Sequence, residues 1–331
     1  MTRSITLKRR TLVAGLGLLS AASIIGRSAN AGPVKSTGES ADMTAAMPQV
    51  SQFKLGSLKF TVVRDGANVL EKPWETFGSN QRPETVQALL AENFLPTDKL
   101  LNTYAPAVID TGKDVVLVDT GFGAAMRGKG AGMLLDGLKA AGYSPDQITA
   151  VALTHMHGDH IGGLMENGAP TFPNARYFGG QVEYDFWTDK AREGTPGEGN
   201  QKSVMANVVP IADRMTFLKE GDQIVSGMTA MLAPGHTPGH MVFHVESDGE
   251  QLVMTGDAAN HYVLSLQRPD WEVRFDMDKA QAARTRNRIF DMIAKDRIAF
   301  LGYHMPFPAV GFLEKKDIGF RYVPKTYQFD L

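Results

Sequence analysis

Three histidines and one aspartate fall within six positions, His155-Met156-His157-Gly158-Asp159-His160. Neutral imidazole and carboxylate are the donors that hold zinc and its first-row neighbours, so this grouping points to metal chemistry. A histidine-rich run can also be an incidental surface metal tract or a solvated loop. Four further positions argue for a built site. Pro234-Gly235-His236-Thr237-Pro238-Gly239-His240 is a glycine- and proline-rich turn with two histidines; Asp257 follows the apolar run Leu252 to Gly256; His304 follows Phe300 to Tyr303; and Asp119 closes Asp114 to Val118. An aspartate at a strand end is ordinarily a turn residue or a helix cap. Recurrence of donor side chains at several strand ends points instead to one site assembled from all of them.

The elements that must position these residues are legible from periodicity. Thr149 to Leu153 reads as a buried strand, which puts the histidine cluster at its carboxyl end, where mixed-sheet proteins tend to carry their sites. Phe53 to Leu55 and Leu58 to Val63 form a hairpin across Gly56-Ser57, and Asp65-Gly66 is the next turn. Pro83 to Phe94 reads as a helix with Val86, Leu89, Leu90 and Phe94 inward. Ala107 to Asp110 and Asp114 to Asp119 are strands. Met133 to Ala141 is a helix closed by Gly142. Later strands are expected at Arg176 to Gly179, Met228 to Leu232, Met241 to Val245, Gln251 to Thr255 and Phe300 to Tyr303, with a helix over Ala280 to Lys295. Two groups of strands, each followed by helices, predict an α/β fold of two facing sheets with helices outside. With no internal repeat, residues 50–331 read as a single domain.

The N-terminal segment differs from the rest. Arg3, Lys8, Arg9 and Arg10 precede an apolar run from Leu12 to Ile25, and Ala29-Asn30-Ala31 is a small-x-small cleavage pattern. This order describes an export signal over residues 1–31, and the paired arginines lean to the twin-arginine route, with a flexible leader over 32–49. The alternative is an uncleaved anchor, but the apolar run is short of the roughly 20 residues a membrane span needs. A periplasmic or secreted protein without stable membrane insertion is therefore expected. Removing the five basic residues of that segment leaves 29 basic against 36 acidic residues, a net charge of −7. An acidic chain without basic runs argues against nucleic acid as partner. There are no cysteines, so any metal site is built from nitrogen and oxygen.

The pattern His-x-His-x-Asp-His at 155–160, followed in order by His236, Asp257 and His304, resembles the metallo-β-lactamase-fold hydrolases over nearly the whole mature chain. The resemblance implies an αβ/βα four-layer sandwich with a two-metal site along one sheet edge. It implies His155, His157 and His236 on the first ion, Asp159, His160 and His304 on the second, Asp257 bridging both, and Asp119 orienting a ligand imidazole from outside. His240 reads as structural. The implied chemistry is a metal-bridging hydroxide that attacks an ester-like bond, with Asp159 and Asp257 as catalytic carboxylates. Zinc is the default; manganese, iron or cobalt would suit the same donors.

Within that superfamily, the lack of cysteine excludes β-lactamases with a thiolate ligand, and Asp257 counts against other β-lactamases. His157 stands where the diiron oxidases carry glutamate. The stretches Leu138 to Tyr143, Thr154 to Gly163, Phe172 to Ala175, Asp185-Phe186-Trp187, His236 to His240 and Pro306-Phe307-Pro308 resemble exported methyl parathion hydrolase and lactonase-like members. That resemblance implies a small neutral substrate, a lactone or carboxyl ester and also phosphotriesters, against an aromatic pocket. Trp187 is the leading pocket residue, with Phe186, Phe122 and Tyr104 behind it. Ala258-Ala259-Asn260-His261-Tyr262 is more polar than an organophosphate site requires; His261 either reaches substrate or caps the strand end. Hydrolysis of β-lactams or thioesters is the alternative activity, and a non-catalytic metal-stabilised binding or sensor module is the alternative of another class. The oligomeric state stays open, with a homodimer as one expectation.

Overall fold

In the computed structural model of the chain, residues 47–329 are described. The expected export signal and the leader up to residue 46 lie outside them. Two seven-stranded mixed sheets dominate. The first runs in the order Val50–Leu55, Leu58–Val63, Ala107–Asp110, Val115–Val118, Ala150–Ala152, Arg176–Gly180, Met215–Leu218. The second runs Gln223–Val225, Met228–Leu232, Met241–Ser247, Glu250–Gly256, Ala299–Gly302, Val310–Lys315, Phe320–Pro324. This is the sandwich architecture expected from the sequence.

Alternation across the first sheet shows why it is buried on both sides. Ala107, Ile109, Val116 and Val118 face the second sheet and join Phe60, Phe178, Phe243 and Leu301 in one buried cluster. Val108, Leu117, Val151 and Tyr177 face the other way. They pack with Leu134 and Leu138 of the helix Leu134–Ala140, Trp187 of Gln181–Thr188 and Val204 of Glu198–Asn207. Period-two burial on both faces requires strands with little polar content, as the run Val-Val-Leu-Val at 115–118 has. The helix Lys279–Asp296 covers the second sheet through Ile289, Phe290 and Ile293.

Parallel pairing matters for the site. Val115–Val118 runs parallel to Ala150–Ala152, and Glu250–Gly256 parallel to Ala299–Gly302. Parallel neighbours deliver their carboxyl ends to the same edge, about 4.8 Å apart, so the residues that follow them become neighbours without further design. A separate hairpin, Gly66–Glu71 with Lys99–Tyr104, stands beside that edge.

Three expectations are corrected. The helix beginning at Pro83 ends at Glu92, and Phe94, expected on its inner face, is 97% exposed. Its backbone is left-handed at φ 59°, which turns the chain away from the helix and throws the ring outward. Asp65 and Gly66 do not simply form a turn. The Asp65 carboxylate is buried and accepts hydrogen bonds from the backbone N–H of Phe122, Gly132 and Leu134, and Gly66 opens the separate hairpin. That hairpin, the helices Gln181–Thr188 and Glu198–Asn207, and the last strand pair had no assignment from sequence. Among the described residues no helix is long and apolar enough to cross a membrane.

Phe290 packs its ring at 5.7 Å from Phe300 and 6.1 Å from Phe320. Phe290→Ala is expected to destabilise the fold by about 3–5 kcal/mol through lost burial and a residual cavity, read as a lowered urea midpoint. A midpoint equal to wild type would show that the helix contributes little to this core.

Candidate metal centre

Each donor leaves a strand at its carboxyl end. Ala150–Ala152 runs out through Thr154 into His155 and His157, and the single helical turn Gly158–Ile161 carries Asp159 and His160. Val115–Val118 delivers Asp119, Met228–Leu232 leads to His236, Glu250–Gly256 to Asp257, and Ala299–Gly302 to His304. Gly235 permits the turn before His236: its φ is +132°, and a Cβ there would lie 2.3 Å from the Ala282 nitrogen.

The side chains converge in two groups that share one carboxylate. His157 Nδ1 lies 3.0 Å from both His155 Nε2 and His236 Nε2. His160 Nε2 and His304 Nε2 lie 3.5 and 3.6 Å from Asp159 Oδ2. Asp257 stands between the groups. Its Oδ2 is 3.3 Å from His236 Nε2 and 3.2 Å from His304 Nε2, and its Oδ1 is 3.2 Å from His160 Nε2. All seven residues that the sequence singled out as donors are thus brought together.

This arrangement does not satisfy itself. A single Nδ1 proton on His157 can serve only one of the two facing nitrogens. His160 Nε2 and Asp257 Oδ1 are buried and, although 3.2 Å apart, neither has a partner in hydrogen-bonding geometry. Converging lone pairs that lack protons are what a divalent cation satisfies, and the nitrogen–oxygen donor set fits one. Burial, reinforced by neighbouring imidazoles, pushes His155 and His157 well below the usual imidazole range, which keeps their lone pairs free. Burial opposes charge on His160 and Asp257 too. There, however, Asp159, Asp257 and Asp119 raise the His160 pKa, and His304, His160 and His236 hold Asp257 well below the usual carboxylate range.

The remote ring nitrogens are held from outside. His160 Nδ1 meets Asp119 Oδ2 at 2.8 Å, and Asp119 also accepts from the Thr154 N–H and hydroxyl at 2.9 and 2.8 Å. His304 Nδ1 faces the Thr103 carbonyl at 2.9 Å. His236 Nδ1 faces Asp276 Oδ1 at 3.0 Å, and the buried Arg286 donates to Asp276 Oδ2 at 2.9 Å. His240 is buried between the Ala233 carbonyl and the Asp257 N–H, at 3.2 and 3.0 Å. Burial, with His236 adding to it, pushes its pKa down to about 3, so it stays neutral and props the Asp257 backbone.

A cavity of about 280 Å³ opens onto the donors His157, Asp159, His236, Asp257 and His304. Its walls include Asn68, Leu70, Asn102 and Tyr104 of the separate hairpin, together with Phe77, Phe122, Asn260 and Phe275. Tyr104 and Phe122 therefore line it. Trp187, Phe186 and His261 do not, which corrects the expected aromatic pocket. Trp187 is buried on the far side of His157, with its Nε1 donating to Glu183 at 2.8 Å. Phe186 stacks under the Arg192 guanidinium and against Trp187. His261 Nδ1 accepts from the Val263 and Leu264 N–H groups, so it caps the turn after the strand.

Sequence reasoning missed Asp276, Arg286, Glu183 and the asparagines. Asn260, three residues after Asp257, donates to Asp257 Oδ2 at 2.8 Å and lay in the polar stretch already noted. Asn68 and Asn102 are cross-strand partners whose alternation with Leu70 and Tyr104 could have marked a mixed wall. Nothing in the spacing signals Asp276, forty positions beyond His236.

The profile of the Metallo-beta-lactamase superfamily matches residues 106–297, more than half of the chain, and the chain belongs to that superfamily. An atrochrysone carboxyl ACP thioesterase of Passalora fulva is 34% identical over 157 residues, 47% of this chain and 37% of its own length. An N-acyl homoserine lactonase of Bacillus cereus is 26% identical over 169 residues, 50% of this chain and 60% of its own. The chain thus spans less than two thirds of these curated relatives. Two solved structures align along nearly all of their chains. AidC, a dizinc quorum-quenching lactonase in complex with a product, has 28% identity and a TM-score of 0.77, covering 84% of this chain and 97% of that one. The hydrolase AbOPH has 27% identity and a TM-score of 0.78, covering 85% and 98%.

Asp276→Asn keeps the shape but removes the carboxylate that His236 Nδ1 faces. Zinc affinity, measured by chelator competition, is expected to fall about 10–100-fold. Unchanged affinity would show that Asp276 does not orient His236.

Proposed function

We propose that the protein is a dinuclear metal-dependent hydrolase of small, uncharged ester-like substrates, lactones or carboxyl esters first. The observation that carries this reading is the convergence of seven donors, with Asp257 common to both groups, five of them facing a cavity in whose wall the described residues place no lysine or arginine. His155, His157 and His236 would hold one divalent ion, Asp159, His160 and His304 the other, and Asp257 both. Zinc is the first choice. When bound, such a pair supplies a water of lowered pKa and polarises the scissile carbonyl.

The chain's own residues account for the rest. Asp159 has the more open of the two carboxylates, 20% exposed against 4% for Asp257, and it would accept the hydrogen of the attacking water. Leu70, Phe77, Phe122 and Phe275 supply an apolar enclosure, while Asn68, Asn102, Tyr104 and Asn260 supply neutral hydrogen-bonding groups. Among the described residues no lysine or arginine lines the cavity. A β-lactam carboxylate, or the phosphates of a carrier thioester, would find no cationic side chain in these walls. That disfavours both alternative activities and favours a neutral substrate. Phosphotriesters are uncharged and remain a secondary substrate class. Export through residues 1–31 belongs to the proposal on the strength of the sequence pattern alone.

Metal analysis of the purified protein is expected to give two equivalents. The loaded protein should hydrolyse neutral lactones or aryl esters while leaving nitrocefin and acyl-CoA thioesters at least about a hundredfold slower, because the walls offer their anionic groups no cationic side chain. Asp257→Ala should lose more activity than the 10–100-fold typical of an outer partner, because it removes a donor common to both groups. Failure of the loaded protein to turn over any lactone, ester or phosphotriester would sink the hydrolase reading in favour of a binding module.

A further inference from the structure

Glu183 is a fully buried carboxylate that the hydrolytic chemistry does not use. It sits in the first turn of Gln181–Thr188. Its Oε1 accepts from the Met156 N–H at 3.0 Å and the Trp187 indole at 2.8 Å, and its Oε2 accepts from the Gly239 N–H at 3.0 Å. Met156 lies between His155 and His157, and Gly239 lies three residues after His236. One side chain therefore ties together the two loops that carry the first donor group.

Those loops have different parents. The first leaves Ala150–Ala152 of one sheet, and the second leaves Met228–Leu232 of the other. Among the described residues no strand ladder joins the two sheets; the Met241 N–H donates to the Thr154 carbonyl at 2.8 Å at the base of the two loops, and Glu183 ties them further out, at Met156 and Gly239. The approach is tight where Glu183 acts. A Cβ on Gly239 would lie 2.2 Å from the Glu183 nitrogen, and a Cβ on Gly180 would lie 2.8 Å from the Gly239 carbonyl. Burying a carboxylate costs several kcal/mol unless it is fully hydrogen-bonded. If only the fold needed these N–H groups satisfied, a neutral acceptor would serve at lower cost.

We propose that Glu183 is a positioning residue: an anionic strut between the two sheets that sets the spacing of His155 and His157 against His236, and so tunes metal affinity at that group. This rests on the metal-binding reading above. It also accounts for Trp187, whose indole braces the strut while its ring packs edge-on, 5.8 Å from His157.

The test uses the full-length, metal-stripped protein, zinc competition against a chelator and the visible spectrum of the cobalt(II)-loaded form. Glu183→Gln keeps the length of the side chain but sets an amide N–H against one of the backbone donors. It is expected to weaken zinc binding at the tighter equivalent by about tenfold or more and to change the cobalt(II) absorption bands. If Glu183→Gln does not fold, Glu183→Asp, which keeps the charge and withdraws it by one methylene, must show the same loss. A purely structural role would lower the urea midpoint of the stripped protein and leave zinc affinity within twofold and the cobalt spectrum unchanged, which overturns the proposal. Wild-type protein that binds no zinc would overturn the metal-binding reading itself, a result distinct from a variant that binds as tightly as wild type.

Discussion

The structure depends on one constraint: seven lone-pair donors are held against one another in a place that excludes most water. Left alone, such a cluster is unfavourable. His160 Nε2 and Asp257 Oδ1 lie 3.2 Å apart without hydrogen-bonding geometry to each other or to a third group, and His157 Nδ1 faces two nitrogens at 3.0 Å with one proton to offer. Only a scaffold with a large core can impose it. The scaffold here is a pair of seven-stranded sheets whose inner faces lock through residues such as Phe60, Ile109 and Phe243. The donors occupy the edge where parallel strands end side by side.

Around the donors lies a layer of partners that leaves little freedom to any ring. Asp119, Asp276 and the Thr103 carbonyl face the outer nitrogens of His160, His236 and His304. Each is itself anchored, Asp119 by Thr154 and Asp276 by Arg286. This chaining fixes tautomers, since a ring that donates outward presents its lone pair inward. His240 and Asn260 do the same for Asp257, one through its backbone and the other through Oδ2. The electrostatics divide accordingly: His155 and His157 are kept neutral by burial, while the carboxylates raise His160 and His304 against burial.

Family membership rests on a profile match over residues 106–297, and the fold agrees with it. Substrate choice is a matter for the cavity walls, because one fold and one donor set serve many chemistries. Here the walls are neutral and half apolar, and most of their polar groups come from a hairpin, Gly66–Glu71 with Lys99–Tyr104, outside both main sheets. A wall built on such a hairpin can change in sequence without disturbing the strands that carry the donors.

What the sequence determined was whatever short-range spacing encodes. The 155–160 cluster, the strand ends at Asp119, Asp257 and His304, and the glycine-locked turn at His236 were readable because strand periodicity and donor chemistry both act over a few residues. The hairpin at 53–63 and the amphipathic helix at 280–295 were readable for the same reason, and the structure extends each by only a few residues. Tertiary structure alone decided the rest. Phe94 faces outward because one left-handed residue reverses the chain after the helix, and Trp187, aromatic and next to the site in sequence logic, became a buried brace behind His157. Asp276 and Glu183 gained roles through contacts forty and twenty-seven positions away, with His236 and Met156. Such contacts leave no periodic trace, because they depend on how two sheets with no shared ladder come to lie face to face.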